Sequence, residues 1–234
     1  GQPVNHSLSP VMHNAALKEM DLDWCYLAMP CQTQAIPTVL RALRALNCKG
    51  LNITIPHKQS VAKACNELSP IATRLGAVNT LVPNNSNDWT GTNTDVEGFL
   101  APLKAKDWRG HNAIIIGCGG SARAVVAGLQ DMNVSEITVI GRQNNSLKNF
   151  LTELKQSSPY GCSTALKGLL SQDIALINQI KSAELIVNTT PVGMAVEPSN
   201  ITTPNEMPLG KDIWNHLSPK TILYDLIYTP KPTN

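Results

Sequence analysis

Gly117, Gly119 and Ala122 follow three consecutive isoleucines, Ile114-Ile115-Ile116, in the segment Gly117-Cys118-Gly119-Gly120-Ser121-Ala122-Arg123-Ala124. Their spacing is G-x-G-x-x-[GA], and each position has a physical task. The first glycine permits a tight turn from strand into helix. The second lets a pyrophosphate approach the backbone, and the small third residue lets helix and strand pack closely. The helix N-terminus then offers N–H groups and a positive dipole end to phosphate. The chemistry implied is dinucleotide binding. Glycine turns are common, so the weight comes from context: a strand before the turn, a helix after it, and a second strand beyond.

That second strand, Glu136-Ile137-Thr138-Val139-Ile140, bears on the choice of cofactor. NAD-binding versions place an acidic residue at its end to hold the ribose 2′-OH. Here Gly141-Arg142-Gln143 follows instead. An arginine in this place pairs with a 2′-phosphate and has no anionic partner on NAD. NADP(H) is the expected cofactor. Cys118 is read as a small residue tolerated beside the turn.

The first half carries four polar clusters at the ends of expected strands, where α/β proteins place ligands. They are Asn5-His6-Ser7-Leu8-Ser9-Pro10, Asn52-Ile53-Thr54-Ile55-Pro56-His57-Lys58, Gly76-Ala77-Val78-Asn79-Thr80 and Gly91-Thr92-Asn93-Thr94-Asp95. Each alone has an ordinary explanation: Ser9 a helix cap, Lys58 a solvated helix start, Asn79 a turn residue, Asp95 the cap of a helix at Val96. Four in one domain, followed by a nucleotide loop, point to a ligand site.

The elements that must position these residues alternate. Ser9-Pro10 opens a helix to about Met20, since serine caps well and proline suits the first turn. Trp24 to Met29 reads as a strand. Ile36, Val39, Leu40, Leu43 and Leu46 recur at helical spacing. Leu51 to Ile55 is expected as a strand ended by Pro56, Val61 to Leu68 as a helix, Ala77 to Val82 as a strand, and Val96 to Leu103 as a short helix. Beyond a polar break at Lys104 to Asn112, Ala113–Ile116, Ile137–Ile140, Leu185–Val187 and Ile222–Leu226 read as strands, and Ala122–Met132 as a helix. Alternation of this kind argues for mostly parallel sheets in two α/β domains, with a boundary near Asp107.

Composition narrows the function classes. The chain has 234 residues, 42% of them hydrophobic, and a net charge of +2. The core is sizeable and the basic residues are scattered, so neither nucleic acid nor a membrane surface is an expected partner. No apolar run is long enough to span a bilayer. The six cysteines form no C-x-x-C pair and no zinc spacing, so no metal is expected. A cytoplasmic protein acting on a small molecule, as monomer or homodimer, is the default.

The segments HSLSP at 6–10, NITIPHK at 52–58, GAVNT at 76–80, GTNTD at 91–95, GCGGSARA at 117–124, NTTPVGM at 188–194 and DLIYTP at 225–230 together closely resemble the shikimate dehydrogenase family. They cover most of the chain in the family's order. The resemblance implies an N-terminal α/β substrate domain, residues 1–106, rejoined by the C-terminal segment from about 229. It also implies a Rossmann-type NADP-binding domain, residues 107–228, with the active site in the cleft between the two. It implies reversible NADPH-dependent reduction of 3-dehydroshikimate to shikimate. Ser7, Ser9 and Tyr228 would hold the substrate carboxylate. Thr54, Lys58, Asn79 and Asp95 would bind the ring hydroxyls and the reacting oxygen, with Lys58 and Asp95 the catalytic pair. Gly117, Cys118, Gly119, Gly120 and Ser121 would carry the pyrophosphate. Gly141, Arg142 and Gln143 would meet the adenosine ribose and its phosphate, and Thr189 and Leu226 would lie toward the nicotinamide.

There are departures. The family often has Asn-Arg-Thr where this chain has Gly141-Arg142-Gln143, so the arginine is kept and a hydroxyl is lost; Lys148 is a candidate substitute. The family's strand before HSLSP and its C-terminal glutamine helix are absent from the sequence, which is expected to be part of a longer chain, with a bifunctional one left open. Two alternatives stand beside the main reading. One is a quinate/shikimate dehydrogenase with relaxed substrate or cofactor use; the other is a non-catalytic NADP(H)-sensing module.

Overall fold

Two sheets organise the computed structural model, which describes residues 1–5, 7–194 and 206–227. The chain divides into two compact units, Gly1–Asn93 and Thr94–Asn234. The first unit contains α1 (Ser9–Glu19), a 3-10 turn, α2 (Ile36–Ala45), β1 (Leu51–Asn52), α3 (Lys58–Ala64), β2 (Glu67–Leu68), α4 (Pro70–Leu75), β3 (Thr80–Pro83) and β4 (Trp89–Thr92). Pro10, Pro37 and Pro70 each stand in the first turn of a helix, where a missing N–H costs nothing. Ser69 caps α4 by accepting the Ala72 N–H at 3.3 Å.

Several expectations need correction here. The sheet order is β1-β3-β4-β2, with β1/β3 and β3/β4 antiparallel and only β2/β4 parallel, so this sheet is mixed rather than mostly parallel. β3 and β4 pair as a hairpin across the Asn84-to-Asp88 turn, and β4 is a strand that a strand–helix alternation does not foresee. The expected helix to Leu68 ends at Ala64, because Leu68 pairs with Gly91 in the sheet. Ser9 does not cap α1. Leu8 holds the cap position, and the Ser7 hydroxyl accepts the Ser9 N–H at 3.2 Å. Trp24 to Met29 is extended but is not a strand: the backbone of Tyr26 pairs with the side chain of Asn14 instead of with a neighbouring strand.

The core of this unit gathers Ile36, Leu40, Val61, Ala72, Val78 and Leu81 around Trp89. The indole is fully enclosed and donates its Nε1–H to the Leu40 carbonyl at 3.0 Å. α1 buries none of its residues, and Val11, Met12 and Met20 are exposed.

The second unit begins with α5 (Asp95–Ala105), followed by β5 (Asn112–Ile116), α6 (Gly120–Asp131), β6 (Glu136–Gly141), α7 (Asn144–Ser157), β7 (Ala165–Leu170), α8 (Leu176–Ser182), β8 (Leu185–Asn188), α9 (Lys211–Trp214) and β9 (Ile222–Asp225). All five strands are parallel, in the order β7-β6-β5-β8-β9. The near-continuous Ile/Val/Leu runs of β5, β6 and β8 suit strands covered on both faces. Ile114, Ile116, Ile140 and Ile186 pack with Leu176 and Ile180 of α8. β7, α7 and α8 carry no strong sequence signal and are not foreseen by the periodicity. α5 packs within this unit, with Phe99 against Tyr224 of β9 at 5.2 Å between ring centroids. The packing boundary therefore falls at Asn93/Thr94, ahead of the expected one near Asp107. No helix among the described residues is long and apolar enough to cross a membrane.

Candidate active site

In the second sheet the strand order reverses beside β5, so the ends of β5 and β8 flank the topological switch point, where such sheets bind ligands. Gly117 leaves β5 with φ +114°, and its N–H donates to the Ile140 carbonyl at 2.9 Å. A Cβ there would stand 2.6 Å from Thr189 Oγ1 and 3.0 Å from Thr190 Cγ2. Both conformation and space demand glycine. Gly119, by contrast, faces open space, as a backbone approached by a pyrophosphate must. The first helical bond of α6 runs from the Arg123 N–H to the Gly119 carbonyl, so the amides of Gly120, Ser121 and Ala122 precede the helical ladder. Ala122 is fully buried. The conformation and space at these residues fit a dinucleotide phosphate.

β6 ends in Gly141, which is buried: a Cβ would come 3.1 Å from Leu147 Cβ and 3.2 Å from Cys118 Sγ. Burial pushes the Cys118 thiol up, so it stays a neutral filler between the glycine turn and the end of β6. Arg142 and Gln143 are exposed at the start of α7, and Ser146 donates to Gln143 Oε1 at 3.3 Å. Lys148 is exposed one turn further along α7.

The ends of β8 and β9 are tied together and to the glycine turn. Thr189 donates both its N–H and its hydroxyl to the Ile116 carbonyl, at 3.0 and 2.7 Å. The Leu226 N–H donates to the Asn188 carbonyl at 3.1 Å. The buried Asn188 carboxamide donates to Asp225 Oδ1 at 3.1 Å and accepts the Thr190 N–H and hydroxyl. Gly117, Thr189 and Leu226 are thus brought together. Sequence reasoning misses the clamping role of Asp225, whose only signal is an acid at the end of an apolar strand.

In the first unit the cluster residues meet through backbone bonds. The Ile53 N–H donates to the Asn79 carbonyl at 2.6 Å, the Asn79 N–H to the Thr92 carbonyl at 3.0 Å, and the Val78 N–H to the Lys58 carbonyl at 2.9 Å. The His57 N–H donates to the Thr54 carbonyl at 2.9 Å. Lys58 opens α3, half-buried, with the buried Asn79 one residue beyond its backbone partner Val78. Asn93 anchors the GTNTD turn by donating to the Ala77 carbonyl at 3.0 Å.

His57 is buried and structural: Nε2 donates to the Cys31 carbonyl at 2.7 Å, leaving Nδ1 beside the Thr33 hydroxyl at 3.3 Å. Ser7 and Ser9 are half-buried at the start of α1. Asp95 is the first residue of α5 and, by packing, belongs to the second unit. Tyr228 and His6 lie outside the described residues. Among the described residues no group of His, Cys, Asp and Glu is placed to hold a metal.

A parallel sheet in this order, with a glycine turn at its switch point, defines the Rossmann class of dinucleotide-binding proteins. Residues 1–81 match the family model described as "Shikimate dehydrogenase substrate binding domain", and residues 100–207 the one described as "Shikimate / quinate 5-dehydrogenase". The chain belongs to the shikimate dehydrogenase family. It is 46% identical over 233 residues to the shikimate dehydrogenase (NADP(+)) of Prochlorococcus marinus subsp. pastoris, covering 100% of this chain and 78% of that one. The shikimate 5-dehydrogenase of Listeria monocytogenes, solved with shikimate and NAD, superposes with a TM-score of 0.82 at 30% identity, over 99% of this chain and 78% of that one. The quinate dehydrogenase of Corynebacterium glutamicum, solved with NAD, gives 0.79 at 28% identity, over 98% and 79%.

Proposed function

We propose that this chain catalyses the reversible NADPH-dependent reduction of 3-dehydroshikimate to shikimate, a step toward chorismate and the aromatic amino acids. The observation that carries this is the glycine turn at the switch point with Arg142 at the end of the next strand, in a chain whose first 81 residues match a shikimate dehydrogenase substrate-binding domain.

A bound nicotinamide would supply the hydride to the ketone carbon, or accept it in reverse. Everything else falls to side chains. As the ketone becomes an alcohol, negative charge grows on its oxygen. The Lys58 ammonium stabilises that charge and gives the proton; in the oxidation, neutral Lys58 takes it back. Asp95, the first residue of α5, is the proposed partner of Lys58 in the catalytic pair and accepts a hydrogen bond from a ring hydroxyl. Thr54 and Asn79 hold further hydroxyls, and Ser7, Ser9 and Tyr228 the carboxylate. Gly117 to Ser121 carry the pyrophosphate, Arg142 the 2′-phosphate with Gly141 and Gln143, and Thr189 and Leu226 line the nicotinamide end.

One observation favours a second reading, broader quinate and NAD use: Gln143 brings no hydroxyl to the 2′-phosphate, and a solved relative is a quinate dehydrogenase bound to NAD. Six free cysteines support a cytoplasmic setting, and a monomer or homodimer is proposed, to be checked by light scattering. The decisive assay follows nicotinamide absorbance with shikimate or quinate, each with NADP⁺ or NAD⁺. Shikimate with NADP⁺ is expected to be fastest. Comparable rates with quinate or NAD⁺ select the second reading, and no rate with any pair selects a non-catalytic NADP(H)-binding module.

A further inference from the structure

Asp225, the last residue of β9, gives one carboxylate oxygen to two partners. Its Oδ1 accepts the Asn188 carboxamide N–H at 3.1 Å and the Ile227 N–H at 3.0 Å. The second bond spans two residues and turns the chain at Leu226, as an aspartate side chain can. The first reaches across to the end of β8, where Asn188 is buried. There the carboxamide uses every hydrogen-bonding position it has. Its Nδ2 also donates to the Val192 carbonyl at 3.4 Å, and its Oδ1 accepts the Thr190 N–H and hydroxyl at 3.0 and 2.7 Å. The Thr190 hydroxyl oxygen in turn accepts the Val192 N–H at 3.2 Å. Thr189 and Thr190 stand against Gly117, the first glycine of the phosphate turn, whose Cβ would meet Thr189 Oγ1 and Thr190 Cγ2.

We propose that Asp225 is a positioning residue for the nicotinamide ring, acting through Asn188 on Thr189 and Thr190 and through its own turn on Leu226. The proposal rests on the function proposed above, which puts Thr189 and Leu226 at the nicotinamide end. A carboxamide can sit either way round, with its oxygen and nitrogen exchanged. A carboxylate only accepts, so Asp225 admits the Asn188 nitrogen and rejects its oxygen. With the nitrogen held there, the Asn188 oxygen faces the Thr190 N–H and hydroxyl. The reversed carboxamide would set a donor against the Thr190 N–H and an oxygen against the Val192 carbonyl, and the loop after β8 would lose its anchor. Asp225 thereby decides the shape of that loop, and the same oxygen fixes the turn at Leu226. Two segments from neighbouring strands are registered on one atom beside the phosphate turn. Such registry matters most for the part of a dinucleotide that reacts, because hydride transfer tolerates little displacement of the ring. Arg142, proposed for the 2′-phosphate, follows β6 on the other side of β5.

The test is calorimetric binding of two ligands to Asp225→Ala: NADPH, and 2′-phospho-ADP-ribose, which has the same phosphates and no nicotinamide. The Kd for NADPH is expected to rise about five- to tenfold, the scale of one net hydrogen bond, while the Kd for the fragment is unchanged. Asp225→Asn keeps an acceptor oxygen for both bonds and should restore NADPH binding. Thr190→Val removes a hydroxyl at nearly constant shape and tests the same clamp if the alanine variant does not fold. It should show the same selective loss, and adding Asp225→Ala to it should do little further harm, since both act through Asn188. A merely structural aspartate would lower Tm and shift both ligands alike or neither. Equal shifts, no shift, or fully additive effects in the double variant overturn the role of Asp225 while the proposed function stands. Failure of the unmodified chain to bind either ligand overturns that function, and this inference with it.

Discussion

The two sheets reach order by different means. In the second unit, strands of four to six residues pair in continuous parallel ladders, and side-chain bonds from Thr189 and Asn188 only add to them at the ends of β5, β8 and β9. In the first unit two of four strands have only two residues each. There side chains take over the ladder's work: Asn14 on Tyr26, Trp89 on Leu40, His57 on Cys31 and Asn93 on Ala77. The cofactor half rests on a repetitive scaffold with the chemistry at one turn. The substrate half rests on individual polar contacts, many made by residues next to those proposed to bind substrate.

That contrast means the halves should fail differently. The largest effect is expected at Lys58. Lys58→Ala should lower kcat by about 10²–10⁴, the usual scale for general acid–base catalysis, while the Kd for NADPH measured by fluorescence stays the same. An unaltered kcat removes Lys58 from the chemistry; a lost Kd means the halves are not separable. Next comes Trp89→Ala. Loss of a fully buried indole should cost about 3–5 kcal/mol in denaturant unfolding. A cost below about 1 kcal/mol, the scale of a single net hydrogen bond, would show that the first unit does not depend on this contact. Arg142→Ala should leave shikimate KM alone and raise the KM for NADP⁺ about tenfold to a hundredfold, with NAD⁺ unaffected, as loss of a charge-assisted bond to phosphate predicts. Equal effects on both cofactors would place the arginine elsewhere than the 2′-phosphate.

The smallest effect concerns Cys65, beside the first sheet. Burial, with the Asp88 carboxylate second, pushes its thiol up from 9.0 to about 11. The folded state therefore keeps a proton that the unfolded state gives up. Its contribution is fully present below about pH 9 and is lost as pH rises toward about 11. Thermal melts across that window should fall less steeply for Cys65→Ala; identical slopes would remove Cys65 as a source.

Legibility in the sequence follows the same divide. The glycine turn, its flanking strands and Arg142 are readable because each is a local pattern with one physical solution. β7 and α7 escape notice because their alternation is broken by Lys167, Gly168 and a polar helix surface. In the first unit, Trp24 to Met29 has strand-like composition, yet its backbone partner is a carboxamide on a preceding helix, which no periodicity announces. β4 escapes because Trp89 to Thr92 is short and follows a polar turn. The candidate substrate residues Ser7, Ser9, Thr54, Lys58 and Asn79 are picked out by resemblance, since singly each has an ordinary structural explanation.

The Asn14 clasp on the Tyr26 backbone has a consequence in time as well as in space. It joins residues 12 apart in the chain, whereas the Trp89 bond to Leu40 joins residues 49 apart. Closing the longer loop costs about 1 kcal/mol more in chain entropy, and loops of about ten residues close in roughly 10–100 ns. The clasp can therefore snap shut while the indole is still searching for its carbonyl. The segment carrying Tyr26 would then be seated on α1 before the sheet of its own unit exists, an early fixed point for a half of the molecule that has few.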